Sequence, residues 1–332
     1  MQIYDIPLDA GQREITRPGT PDFPLAIYYS VLSQNVLGYT PLHWNEELQF
    51  CLVVRGQVLF FVNEERFVLS KGEGLFINSG YLHMARPVKD PDSSYICLDI
   101  APQLLSGFAG SVMEQKYLLP ALADPTLVYQ VLQRQVPWER ELLDQIEQVY
   151  QLSEDKPEAY ELLILSRLYV LVAGILAHRT ARQNGLRRTH ANGAIQKMLS
   201  YMAAHYGEKV TLAELSDYAS YTESECCRIF KRFTGESIFS YLRNFRLEQS
   251  IPRLLNTDEP ISDIAYGCGF SSTSYYIDIF KKQFGITPLQ YRKNPPEAQL
   301  VTVSGHKENP GKGPGTGEKA PSPAAAAPKE EV

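Results

Sequence analysis

TLAELSDYASYTESECCRIFKRFTG, Thr211 to Gly235, is followed by a second copy of the same pattern, ISDIAYGCGFSSTSYYIDIFKKQFG, Ile261 to Gly285. Leu215 matches Ile264 at an offset of 49, and Gly235 matches Gly285 at an offset of 50. The second copy therefore carries one more residue in its turn. Each copy reads as two short helices. In the first, Leu212, Leu215 and Ala219 recur at helical spacing. Thr222, with Glu225 three residues on, has the N-cap and capping-box spacing of a second helix. Cys226, Ile229, Phe230 and Phe233 form that helix's inner face. In the second copy Ile261, Ile264 and Ala265 make the first stripe, and Gly269 permits a positive φ in the turn. Ser271 or Ser272 caps a helix with Tyr276, Ile279, Phe280 and Phe284 inside.

Two short helices joined by a tight turn form a helix-turn-helix, whose second helix fits the DNA major groove. The competing reading is an all-α bundle of repeated hairpins. The outer faces favour DNA: they carry small polar residues and end in basic pairs, Lys231-Arg232 and Lys281-Lys282, which suit phosphate oxygens. Between the copies, Ser237 to Asn256 reads as one helix of 20 residues, about 30 Å long. Major-groove faces on one side of a duplex repeat every ~34 Å. Pro252 lies inside this helix and lacks the N–H that a helix uses there.

The stretches FKRFTGESIFSYLRNFRLE, ISDIAYGCGFSSTSYY and FKKQFGITPLQYR resemble the DNA-binding domain of AraC/XylS-type transcription regulators, over residues 192–294. Ser220 stands where that family's first turn usually has Gly, and Asp278 where its second reading helix often has Arg. The outward positions at the start of each second helix are expected to contact bases: Ser224, Cys227 and Arg228 in the first copy, Thr273, Ser274 and Ile277 in the second. Arg228 suits guanine O6 and N7. The second set is short and suits a thymine methyl or a water-bridged edge. Phosphate contacts are expected from Thr222, Lys231, Arg232, Ser272, Lys281 and Lys282.

The formal net charge is −6, which argues against nonspecific coating of nucleic acid. Residues 187–293 hold 14 Lys+Arg against 11 Asp+Glu, a balance of +3 that leaves −9 elsewhere. Five cysteines, at 51, 97, 226, 227 and 268, show no metal-type spacing and fit reduced thiols of a cytoplasmic protein. The first residues lack a signal-peptide pattern. The apolar segment Leu162–Ala177 reads as too interrupted, by Ser166, Arg167 and Tyr169, for a membrane span.

Residues 1–24 read as an arm. Short β-prone runs follow at Leu25–Leu32, Leu48–Val54, Gln57–Val62, Glu65–Leu69, Gly74–Ile77 and Tyr95–Ile100, with turns between them. They predict an antiparallel barrel or jelly roll over 25–125. The pattern around His43 resembles a cupin. Asn45 occupies the place of the second metal-binding His, and Gln49 or Phe50 that of Glu. Only His43 and His83 remain, fewer than the three protein ligands of a catalytic zinc site. No cofactor and no metal is expected. A small-molecule pocket is the preferred reading, with His43, Trp44, Glu47 and His83 as candidates and Tyr28 and Arg86 beside them. The resemblance implies an effector, often a sugar.

From Val136 the period turns helical. Trp138, Leu142, Ile146 and Val149 mark one helix, and Tyr160 to Arg182 a second. This hairpin, over 126–183, packs on the barrel or forms the homodimer seam that the resemblance implies. A polar linker is expected at 184–191 and a disordered tail at 295–332. The expected fold is α+β and multidomain: an N-terminal cupin-like β-barrel, a helical hairpin and a C-terminal all-α domain with two helix-turn-helix motifs. The expected function is ligand-responsive, sequence-specific promoter binding, activating genes for use of a sugar or related metabolite. RNA polymerase is a further expected partner, a membrane is not, and no catalytic residue is assigned. The alternatives are a cupin-type metal-dependent enzyme with an attached DNA-binding domain, and a DNA-bending protein without a ligand.

Overall fold

The computed structural model describes residues 6–9, 11–179 and 185–295. Among the described residues, nine strands build the N-terminal body: β1 (Leu25–Val31), β2 (Thr40–His43), β3 (Leu48–Arg55), β4 (Gln57–Val62), β5 (Glu65–Ser70), β6 (Gly74–Ile77), β7 (His83–Pro87), β8 (Ser94–Ile100) and β9 (Tyr129–Leu132). They form two antiparallel sheets, ordered β1-β8-β3-β6-β9 and β2-β7-β4-β5. The cupin-like barrel thus takes the form of two facing sheets. Its edge strand β9 comes from beyond residue 125.

Strands that are apolar on both faces serve two cores at once, because alternate residues point to opposite sides of a sheet. In β3, Cys51 and Val53 join Val58, Phe60 and Val62 of β4 between the sheets. Phe50 and Leu52 point the other way, toward the helices that cover the five-stranded sheet. Phe61 of β4 leaves the inter-sheet core to join the C-terminal helices.

Short helices α1 (Pro102–Ser106) and α2 (Leu119–Ala123) precede the hairpin α3 (Pro137–Asp155) and α4 (Tyr160–His178). Leu142, Ile146 and Val149 of α3 and Ile164, Leu168, Leu171 and Ile175 of α4 share the core behind the five-stranded sheet. Trp138 stacks on His178 with ring centroids 4.2 Å apart. Leu162 and Leu163 of α4 are exposed. By length and composition α4 is apolar enough to cross a membrane, which corrects the expectation for Leu162–Ala177. Three polar interruptions do not offset the Leu, Ile, Val and Ala around them. In the fold, one side of this helix is packed on α3 and the sheet.

The C-terminal half is helical: α5 (Gly185–His205), α6 (Leu212–Ala219), α7 (Glu223–Thr234), α8 (Ile238–Asn256), α9 (Ile261–Gly267), α10 (Thr273–Phe284) and α11 (Pro288–Lys293). The linker expected at 184–191 is helical from Gly185. Of the expected tail, residues 296–332 lie outside the described residues.

Helix α8 joins two small cores. Ile238, Tyr241 and Leu242 pack with α5, α6 and α7. Leu247, Ile251 and Leu254 pack with α9, α10 and α11. Pro252 does not break α8, which runs for 19 residues, about 28 Å. The proline is exposed, so water can serve the backbone that its missing N–H does not.

Candidate functional site

The sequence sets both reading helices by their caps. The Thr222 side chain accepts from the Glu225 N–H and Glu225 reaches back to the Thr222 N–H, a full capping box on α7. On α10 the cap is Ser272, whose Oγ accepts from the Tyr275 N–H at 3.2 Å. Ser220 closes α6 at φ +63° and Gly269 sits in the second turn at φ +80°. The left-handed conformation costs an ordinary residue about 1–3 kcal/mol, so the serine in the first turn is held by its surroundings. Its N–H donates to the Asp217 carbonyl at 3.1 Å.

The caps aim one face of each helix outward. Ser224, Cys227 and Arg228 are all exposed on α7, as is Ser274 on α10. Thr273 is half-buried, and Ile277 packs against the second core. Thr222 and Ser272 spend their hydroxyls on capping. Lys281 and Lys282 are exposed beside Asp278. The first basic pair is different: Arg232 forms an ion pair with Glu64 of the β4–β5 turn at 2.8 Å, and the Lys231 carbonyl accepts from Arg66 at 2.9 Å.

Between the sheets lies a small cavity of about 20 Å³, room for a water-sized molecule. His43 and His83 line it, joined by Glu14, Gln49 and Asp99, none of which the sequence reading singled out as pocket residues. Each imidazole Nδ1 lies 2.8 Å from a carbonyl oxygen, of Pro41 and of Tyr81 respectively. A carbonyl only accepts, so each Nδ1 carries the proton and each Nε2 is a bare acceptor. Burial lowers His43 to about 4. Burial and then the neighbouring His43 push His83 well below its ordinary value. Both rings are therefore neutral near pH 7, with centroids 4.1 Å apart.

The carboxyls shift the other way. Burial, then the charge of Glu14, raises Asp99 to about 8. Burial also raises Glu14. His83 Nε2 and Gln49 Oε1 are buried with no hydrogen-bond partner among the described residues. The cavity thus offers acceptors and calls for a donor-rich guest. Two imidazoles and carboxylates invite a metal reading, but no group of three or more His, Cys, Asp or Glu among the described residues has metal-holding geometry.

The other four pocket candidates lie elsewhere. The Trp44 Nε1–H donates to the Gly11 carbonyl at 2.9 Å, tying the arm down. Glu47 is outside the lining, and burial raises its carboxyl. Tyr28 belongs to the inter-sheet core, opposite Cys97 in the β1–β8 ladder. Arg86 pairs with Glu236, just after α7, at 2.5 Å. The arm supplies Ile6 and Glu14 to the cavity, while its Gln12 accepts from the Tyr241 hydroxyl of α8 at 3.2 Å. Met84 both lines the cavity and packs in the core shared with α5, α6 and α7. The cavity wall thereby joins the C-terminal half by two routes, Met84 in the core that includes α7 and the arm through Gln12 to α8.

Comparison with known proteins finds two families in the same order. The AraC-like ligand binding domain matches residues 26–172 and the helix-turn-helix domain matches residues 215–294. The uncharacterized HTH-type transcriptional regulator YdeC of Bacillus subtilis (strain 168) is 32% identical over 286 residues, covering 86% of this chain and 97% of that protein. The HTH-type transcriptional activator RhaS of Enterobacter sp. (strain 638) is 25% identical, over 76% of this chain and 87% of its own. The melibiose operon regulatory protein of Escherichia coli (strain K12) is 29% identical over 160 residues, 47% of this chain and 51% of its own.

Proposed function

The chain belongs to the AraC family of helix-turn-helix transcription regulators, and we propose that it is an effector-gated activator of genes for sugar or related metabolite use. The observation that carries the reading is the cavity between the sheets, lined by His83 and Gln49, whose Nε2 and Oε1 are buried without a hydrogen-bond partner among the described residues. A hydroxyl-rich guest donates to such groups, and leaving them unpaired costs about 1–3 kcal/mol each. The similarity to a melibiose operon regulator points to the same ligand class.

A sugar is larger than the cavity, so entry requires the arm wall of Ile6 and Glu14 to move. That movement displaces Gln12 from Tyr241 and alters the grip on α7 and α8. The effector acts by binding one arrangement of arm and helices better than the other. Arg228 is the principal base contact, with Ser224, Cys227, Thr273, Ser274 and Ile277 around it. Thr222, Lys231, Ser272, Lys281 and Lys282 meet phosphates, and Arg232 joins them on leaving Glu64. His43 and His83 are the effector contacts from the first set, joined by Gln49 and Glu14 of the same lining. Two copies associate through the exposed side of α4, RNA polymerase is the downstream partner, and the protein works in the cytoplasm without enzymatic activity.

A thermal-shift screen of sugars and related metabolites on the full chain tests this, since a ligand bound only by the native state stabilises it. A hit whose effect is lost in His83→Phe is the expected result. Hits that are indifferent to His83 and Gln49 contradict the assigned cavity.

A further inference from the structure

Two cysteines in the cavity wall have no part in the reading above. Cys51 of β3 and Cys97 of β8 are direct partners in the antiparallel ladder. Their sulfur atoms are 3.5 Å apart and both thiols are free and buried. Directly opposed residues of an antiparallel pair have Cα atoms roughly 4.5–5.5 Å apart, inside the span a disulfide bridges. Cys97 Sγ also lies 3.2 Å from the Asp99 carboxylate, two residues along on the same face. Both cysteines and Asp99 line the cavity, which admits a water-sized molecule.

We propose that Cys51 and Cys97 are an oxidisable dithiol, converted by a hydroperoxide to a cross-strand disulfide inside the cavity, with Asp99 taking the first proton. Hydrogen peroxide is small enough for the space. The Cys97 thiol gives its proton to Asp99, and the thiolate attacks one peroxide oxygen. The O–O bond breaks, Cys97 becomes a sulfenic acid, and hydroxide leaves as water with the proton from Asp99. The Cys51 sulfur then attacks the Cys97 sulfur and a second water departs. Two thiols are oxidised by two electrons in all, and one peroxide is reduced to two waters.

The nearby groups explain why the base is needed. The Cys51 contact, then burial, holds the Cys97 thiol well above its usual range, so free thiolate is scarce. Asp99 lies 3.2 Å away. Burial raises it to about 8, so it is mostly protonated at pH 7. Its ionised fraction is the base, and crosslinking should quicken as pH rises toward 8. The site does not depend on which effector the cavity takes.

The test uses the full chain carrying Cys227→Ser, which removes the exposed competing thiol. Hydrogen peroxide is added, free thiols are alkylated in denaturant, and peptides are mapped without reduction. A Cys51–Cys97 crosslinked peptide, two hydrogens lighter and released by dithiothreitol, is expected. In Cys51→Ala the sulfenic acid on Cys97 should be trapped by dimedone, and Asp99→Asn should slow crosslinking at least tenfold. Full alkylation of Cys51 and Cys97, under conditions that oxidise Cys227 in the unsubstituted chain, overturns the dithiol. Crosslinking at an unchanged rate in Asp99→Asn overturns the role given to the carboxylate.

Discussion

Replacing Asp99 with Asn should flatten the dependence of stability on pH between 6.5 and 8. Asp99 is raised to about 8 in the fold by burial and by Glu14, while an unfolded Asp titrates near ~3.9. A carboxyl raised in the folded state contributes stability that is fully present below the unfolded value. It is lost as pH rises through the folded value. Each pH unit between the two costs ~1.4 kcal/mol, tapering as the folded value is reached. From pH 6.5 to 8 the loss is roughly 1.5 kcal/mol. His43, His83, Glu14 and Glu47 titrate in both chains, so the difference in slope reports Asp99 together with its interaction with Glu14. Both tryptophans, Trp44 and Trp138, lie in the N-terminal half. Urea unfolding followed by their fluorescence at constant ionic strength therefore reports the half that holds the cavity. The unsubstituted chain should lose roughly 1.5 kcal/mol across the window, and Asp99→Asn much less. Parallel slopes would mean that Asp99 is not a buried, protonated group, and the cavity electrostatics would fall with it.

Arg228→Ala should weaken binding to the preferred duplex by about 1–3 kcal/mol and relax specificity at one position; an equal loss on every sequence would make Arg228 a phosphate contact. Gly269→Ala should lower the melting temperature of the C-terminal half sharply, because the added carbon would run into the Tyr206 carbonyl at φ +80°; an unchanged melting curve would refute the tight second turn. Leu163→Glu on the exposed side of α4 should convert dimer to monomer in sedimentation without loss of thermal stability. A dimer that persists would place the seam elsewhere.

The helix-turn-helix pair was legible because its signals are local. Capping residues, turn positions and inner-face spacing all lie within a few residues of one another, and they occur twice. Pro252 was harder, since its tolerance depends on which side of α8 faces water. The cavity was half legible. His43 and His83 stand out by type, but a neighbour in sequence points away from a neighbour in a strand. Arg86 therefore follows Ala85 of the cavity wall yet reaches Glu236, beyond the end of α7. Asp99 and Gln49 did carry a signal: each is a polar residue flanked by apolar ones in its strand, two positions from a cysteine that shares its face. Glu14 carried none, because it comes from an arm whose docking against Trp44 is a tertiary event.

The pairing of two reading helices through α8 is tested most directly by footprinting the full chain on a duplex selected from a random pool. Two patches of major-groove protection on one side of the DNA, about 10–10.5 base pairs apart, are predicted, and binding should weaken steeply with salt. A single protected patch, or no affinity for any duplex at low salt, would contradict it.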